Sequence, residues 1–133
     1  MTRFDAADPA ARRTLFVDAI VAHRERASPF LTIEVDAADL EESEDDPGPP
    51  WVQFADGVVN LDCTEDELES LKSLLATFPA FKIDDLTRPE NAAGVNVRVS
   101  AKADPNRIAQ FFDALFQEVY GLSETYRAWV VAV

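Results

Sequence analysis

Residues 51–75, WVQFADGVVNLDCTEDELESLKSLL, spell two β-strands joined by a two-residue turn and followed by a capped helix. Asp56-Gly57 sets the turn, because both central positions of a type I′ hairpin need positive φ, which Gly adopts freely and Asp tolerates. Register follows from that turn. Ala55 faces Val58, Phe54 faces Val59, Gln53 faces Asn60, Val52 faces Leu61 and Trp51 faces Asp62, and successive pairs point to opposite faces. One face is then Val52, Phe54, Val59 and Leu61, all apolar. The other carries Gln53, Asn60 and Asp62, with Trp51, Ala55 and Val58 at its ends. Thr64 and Glu67 have the spacing of a capping box, in which each side chain takes the other's backbone amide. Leu68, Leu71, Leu74, Leu75 and Phe78 then share a helical face, which is expected to pack on the apolar side of the hairpin.

Working outward, Asp8-Pro9 reads as a helix start, with Asp8 as N-cap and Pro9 at the first helical position. Phe16, Val17, Ile20 and Val21 supply the apolar face, and the helix is expected to stop at about Arg26, ahead of Ser28-Pro29. Residues 30–36 alternate as a half-buried strand with Leu31, Ile33 and Val35 inward. Downstream, 80–86 reads as a strand with Phe81 and Ile83 inward and Lys82 and Asp84 outward. The stretch 94–101 alternates most cleanly, Val95, Val97, Val99 and Ala101 against Asn96, Arg98 and Ser100. Asp104-Pro105 opens a further helix with Ile108, Phe111, Phe112, Leu115, Phe116 and Val119 at helical spacing, and Gly121 sits at its left-handed C-cap. Residues 126–133, YRAWVVAV, are apolar on both faces and suit a final strand.

The element order αβββαββαβ predicts an α+β protein: a two-layer sandwich in which three helices cover one face of a mainly antiparallel sheet of about five to six strands. Residues 1–133 read as one domain, with an acidic loop over 37–50, AADLEESEDDPGPP. The carboxylates of that loop raise Mg²⁺ or Ca²⁺ binding, but the alternating ligands and central Gly of a calcium loop are missing, which favours a solvated segment.

Charge excludes a function class. Asp and Glu number 25 against 12 Lys and Arg, a formal net charge of −13, so a phosphate backbone would be repelled, and nucleic acid is not expected as a partner. Only Lys72, Lys82 and Lys102 are lysine. Acid-rich and lysine-poor composition fits a salt-filled cytoplasm, where the Debye length falls to about 3 Å and self-repulsion is screened. The apolar runs are too short to span a membrane. Cys63 is the one cysteine, which rules out an internal disulfide and fits a reduced, cytoplasmic setting.

No motif for catalysis or a cofactor stands out: none of the four glycines opens a phosphate loop, and one His and one Cys cannot build a usual zinc site. No cofactor, metal or catalytic residue is therefore expected. Cys63 is open to two readings, a thiol activated at a helix start or an inert core residue, and its register with Val59 and Leu61 favours the second. His23, on an amphipathic helix, could act as a base or simply bond a backbone carbonyl or carboxylate, and the second is the commoner role.

One surface departs from the acidic background. The sheet face away from the helices collects Thr32, Glu34, Trp51, Gln53, Asn60, Asp62, Lys82, Asp84, Asn96, Arg98 and Ser100. Trp51, Gln53, Asn60, Lys82, Asn96 and Arg98 form the candidate binding set, for a second copy of the chain in a homodimer or for another protein partner. An ordinary solvated sheet face is the competing reading. A small-molecule binder or enzyme with a pocket between sheet and helices is the alternative, with Arg98, Trp51 and His23 as its polar anchors.

The acidic run EESEDDPGPPW, the WVQFADGVVNLDC hairpin and the scarcity of lysine give the chain a character similar to that of short haloarchaeal proteins of unknown function. Its order of helix, three strands, helix, two strands and helix resembles the type III secretion chaperone-like fold. That resemblance implies a small, acidic, often dimeric binding protein; the extra C-terminal strand departs from it.

Overall fold

The computed structural model describes residues 4–27, 29–35, 50–90 and 94–133. Apart from Pro50, the acidic stretch 37–50 lies outside them. The described chain runs β1 (Asp5–Ala6), α1 (Pro9–Arg26), β2 (Leu31–Val35), β3 (Trp51–Ala55), β4 (Val58–Cys63), α2 (Glu65–Leu75), β5 (Lys82–Thr87), β6 (Val95–Ser100), α3 (Pro105–Ala114) and β7 (Ala128–Ala132). A π-helical turn, Leu115–Val119, continues α3.

The hairpin forms as its turn requires. Asp56 and Gly57 have φ of 52° and 76°, and Gln53, Phe54 and Ala55 pair with Asn60, Val59 and Val58. A Cβ on Gly57 would stand 3.1 Å from Lys102 Cγ in a backbone region that L side chains rarely enter, so the position needs glycine. The capping box also forms, with Glu67 N donating to Thr64 Oγ1 at 3.1 Å and Thr64 N to Glu67 Oε1 at 2.8 Å. Asp8 and Asp104 cap α1 and α3, each followed by proline. At the far end of α3 the chain turns out through Gly121 at φ 72°, and Leu122 N donates to Phe116 O at 3.1 Å.

All pairings are antiparallel, in the order β1-β7-β2-β3-β4-β6-β5. The α+β class with helices on one face holds, and the sheet has seven strands, because the two-residue β1 adds to the edge of β7. Leu31, Ile33, Val35, Val52, Phe54, Val59, Leu61, Cys63, Val95, Val97 and Val99 are all buried against the helices. Phe16, Ile20, Leu68, Leu71, Ile108, Phe111, Phe112 and Phe116 meet them from above. The inward face of α1 is Arg12, Phe16, Ala19, Ile20 and His23; of the expected stripe Phe16 and Ile20 are buried and Val17 packs partly against the core, whereas Val21 is 37% exposed. In β5 the register shifts between Ile83 and Asp85, so Leu86 joins Ile83 toward the core and Asp85, rather than Asp84, faces Arg98.

A buried polar node ties α1, α3 and the start of β7 together. Arg12, 0% exposed, donates from Nε to Asp113 Oδ1 at 3.0 Å and from Nη1 to the carbonyls of Ala7 and Tyr126 at 2.5 and 3.0 Å. Its guanidinium lies 4.0 Å from the centre of the Tyr126 ring, whose hydroxyl donates to the same Asp113 Oδ1 at 2.8 Å. Gln117 Nε2 donates to Asp113 Oδ2 at 2.9 Å. Burial and the neighbouring Asp113 carboxylate push the Tyr126 hydroxyl pKa far up, so it stays a proton donor. Among the described residues Arg12 Nη2 has no hydrogen-bond partner, so the contact with Asp113 is the main compensation for burying the guanidinium charge.

Removing one member of a buried ion pair strands the other. Asp113→Ala is expected to lower unfolding free energy by about 3 kcal/mol or more, read by chemical denaturation in molar KCl. Glu65→Ala, which breaks the exposed pair with Arg88, is expected to cost a small fraction of that, and equal losses would contradict the role given to the node.

Candidate functional site

The face of the sheet opposite the helices is built by alternation. Each inward residue of β2, β3, β4, β6 and β7 leaves its neighbour pointing away, and antiparallel register lines those neighbours up in rows across the strands. One row runs Thr32, Gln53, Asn60, Arg98 and Asp85 across β2, β3, β4, β6 and β5. A second begins Asp5, Trp129, Glu34 and Trp51 across β1, β7, β2 and β3, and further along the sheet Asp62, Asn96 and Thr87 face one another. A third joins Ala55, Val58, Ser100 and Lys82.

All six residues singled out from the sequence therefore share this face. Trp51, Gln53, Asn60 and Asn96 are half-buried there, while Lys82 and Arg98 are exposed. Two of the amides are tied together: Asn96 Nδ2 donates to Asn60 Oδ1 at 2.8 Å and to Asp62 Oδ1 at 2.9 Å. Such preorganised groups lose little rotamer freedom when a partner arrives. Among the described residues, the side chains of Glu34, Lys82 and Arg98 have no hydrogen-bond or ion-pair partner.

The structure adds residues that the sequence pattern hid. Trp129 and Val131 of β7 are 39% and 51% exposed, each following a buried residue, Ala128 and Val130. Alternation was present there, but with apolar residues at both parities it carried no polar signal. A β-bulge in the β2 and β7 pairing, between Thr32 and Ile33, leaves Val131 out of the ladder. Asp5 joins the face through the short strand β1 and forms an ion pair with Arg127. The face thus has an aromatic and apolar end at β7 and β2, where Glu34 lies between Trp129 and Trp51, and an end of mixed charge at β6 and β5, where Arg98 faces Asp85 and Lys82 faces Ser100.

The polar anchors of the pocket alternative do not converge. His23 lies on the helix side of the sheet, its ring centre 5.6 Å from that of the buried Phe54, whereas Arg98 and Trp51 are on the other side. Burial lowers the His23 pKa, with Arg24 adding to and Asp56 opposing that shift. Cys63 is buried, and desolvation with the nearby Glu67, Asp62 and Glu65 carboxylates pushes its thiol up to about 11, which makes it unreactive. Tyr120 is likewise pushed up by burial and donates its hydroxyl to the Asp62 carbonyl. A cleft of about 310 Å³ lies between α1 and α3, lined by Arg13, Gln110, Asp113, Gln117 and Glu118 among others. Its central carboxylate, Asp113, already accepts from Arg12, Tyr126 and Gln117, which leaves it little capacity for general-base work. No helix among the described residues is long and apolar enough to cross a membrane.

A histidine whose folded pKa lies below its unfolded value of about 6.5 takes its proton in the unfolded chain first. Stability is therefore expected to be full above that value and to fall as pH drops through it. Denaturation midpoints measured between about pH 7.5 and pH 6 should decline in the wild type and flatten in His23→Phe. An unchanged slope in the variant would contradict the buried, neutral state of His23.

Neither a curated protein nor a solved structure matches the chain. One family covers it from end to end: over residues 1–133 the chain belongs to the family of unknown function DUF7975.

Proposed function

We propose that this protein is a non-enzymatic binding module whose open sheet face docks on a flat protein surface. The observation that carries the reading is the contrast between that face and the rest of the molecule. On a chain of net charge −13, the face sets Arg98 and Lys82, without ion-pair partners among the described residues, among the carboxylates of Glu34, Asp62 and Asp85, with an amide hydrogen bond from Asn96 to Asn60 and two tryptophans, which are all the tryptophans the chain has. Interfaces are enriched in aromatics and Arg, and Trp51, Trp129 and Arg98 supply both here.

The chemistry of the partner follows from the layout. Opposite β6 and β5 it presents acidic groups for Arg98 and Lys82. Opposite β7 and β2 it presents apolar or cationic groups for Trp129, Val131 and Glu34, since a guanidinium stacks on an indole and pairs with a carboxylate. Small metabolites do not fit a surface of this flatness, because ligand sites bury most of their ligand in a concavity. The acid-rich, lysine-poor composition supports action in the salt-rich cytoplasm of a halophile, where contact pairs within an interface keep more of their strength than exposed charges do.

The test is loss of binding that maps to the face. Proteins captured from native extract in molar KCl are identified, purified and measured against wild type, Arg98→Glu, Trp129→Ser and the helix-side control Glu69→Gln. Binding is expected to weaken tenfold or more in both face variants and to be unchanged in the control. Binding indifferent to the face variants, or a metabolite that raises the melting temperature equally in wild type and Arg98→Glu, would overturn the reading.

A further inference from the structure

On the open face one carboxylate, Glu34, is flanked by two indoles, and among the described residues it has no hydrogen-bond or ion-pair partner. We infer that the docked protein presents an arginine, whose guanidinium is seated over Glu34 between Trp129 and Trp51. This rests on the binding-module reading and adds the side chain that the partner must supply.

Register fixes the arrangement. Glu34 on β2 pairs directly with Trp129 on β7 and with Trp51 on β3, so the three side chains leave the sheet on one side and in one row. Directly opposed residues have Cβ atoms about 4.5 to 5.5 Å apart, which brings a cation above Glu34 within reach, about 6 Å, of both indoles. The rings are open to it. Trp129 is 39% exposed and Trp51 half-buried, and neither stacks on another aromatic or lies under a cation among the described residues. The cations of this chain nearest in the sheet are otherwise placed. Arg98 is three strands from Glu34, about 14 Å at about 4.8 Å per strand, and Arg127, two residues before Trp129, pairs with Asp5.

The chemistry selects arginine among cations. A guanidinium is planar and weakly hydrated, so it stacks on an indole while its N–H fork donates to a carboxylate. A lysine ammonium is compact and strongly hydrated, and offers Glu34 little beyond its charge. At molar salt the Debye length is about 3 Å, so a contact made by charge alone is met by competing K⁺, whereas stacking on Trp129 and Trp51 also removes apolar surface from water. A flat face does not enclose a small free cation, but an arginine arrives on a surface that is itself docked.

Tryptophan fluorescence reads this seat, since Trp51 and Trp129 are the only tryptophans of the chain. The probe is the Nα-acetyl amide of arginine, titrated into the full chain in molar KCl beside the same derivatives of citrulline, its neutral isostere, and of lysine. A saturable change is expected with the arginine probe, and affinity about threefold or more lower with the other two. Glu34→Gln and Trp129→Leu are each expected to weaken the arginine probe by about the same factor, and the helix control Glu69→Gln to leave it unchanged. Glu34 is exposed, so its substitution spares the core, and circular dichroism identifies any variant that fails to fold. No saturation with the arginine probe, equal affinity for the citrulline or lysine probe, or indifference to Glu34→Gln would overturn the inference. A protein held through Arg98 and Trp129, but neither displaced by the arginine probe nor weakened by Glu34→Gln, would overturn it too and leave the binding-module reading standing. Saturable probe binding on a chain that captures no protein through this face would overturn the assignment of the cation to a protein partner.

Discussion

Two positive φ angles, at Asp56 and Gly57, set the pairing of β3 with β4, and the facing of the rest of the sheet follows from that pair. A two-residue turn leaves no freedom in register, so Phe54 must face Val59 and both must point the same way. β6 then pairs with β4, β2 with β3, and β7 with β2, each keeping apolar residues on the side where Phe54 and Val59 already are. A slip of one residue anywhere in this chain of pairings would place Val97, Ile33 or Leu61 in water and Asn96, Glu34 or Asn60 in the core. The hydrophobic penalty for one such exchange is about 2 kcal/mol per large side chain before any polar group is counted.

Helices cover only one side because only one side is apolar. α2 is nucleated by its capping box and lays Leu68, Leu71 and Leu74 into the core, and α3 brings Phe111 and Phe112. Phe112 meets Phe16 and Phe54 edge to face at 6.0 and 6.1 Å, so the layers are locked by aromatic contacts of defined geometry. Arg12, Asp113 and Tyr126 then fix how α1 and α3 lie against the entry to β7, with a directionality that apolar packing alone lacks.

Much of this was legible in the residues. Turn chemistry, capping signals and period-two alternation each act within a few positions of the chain, and they specified the hairpin, all three helix starts and the shared face of Trp51, Gln53, Asn60, Lys82, Asn96 and Arg98. What stayed hidden depends on contacts distant in sequence. Arg12 falls four residues before Phe16 and eleven before His23, at inward positions of α1, yet a charged residue on that stripe reads as solvent-facing until Asp113, 101 residues away, is known to meet it. Trp129 and Val131 were masked because β7 is apolar at both parities. The bulge that turns Asp85 toward Arg98 leaves no mark in composition, and β1, at two residues, is too short to show a period.

The outcome is a molecule with one finished face and one open one, and its only two tryptophans, Trp51 and Trp129, are on the open face. Intrinsic fluorescence therefore reports on that face alone. The most direct measurement is acrylamide quenching of tryptophan emission in molar KCl, with and without a binding protein purified from native extract. The account predicts readily quenched emission in the folded protein alone, turning blue-shifted and protected as that protein is added. Emission already protected in the protein alone, or quenched to the same extent with the binding protein present, would contradict it.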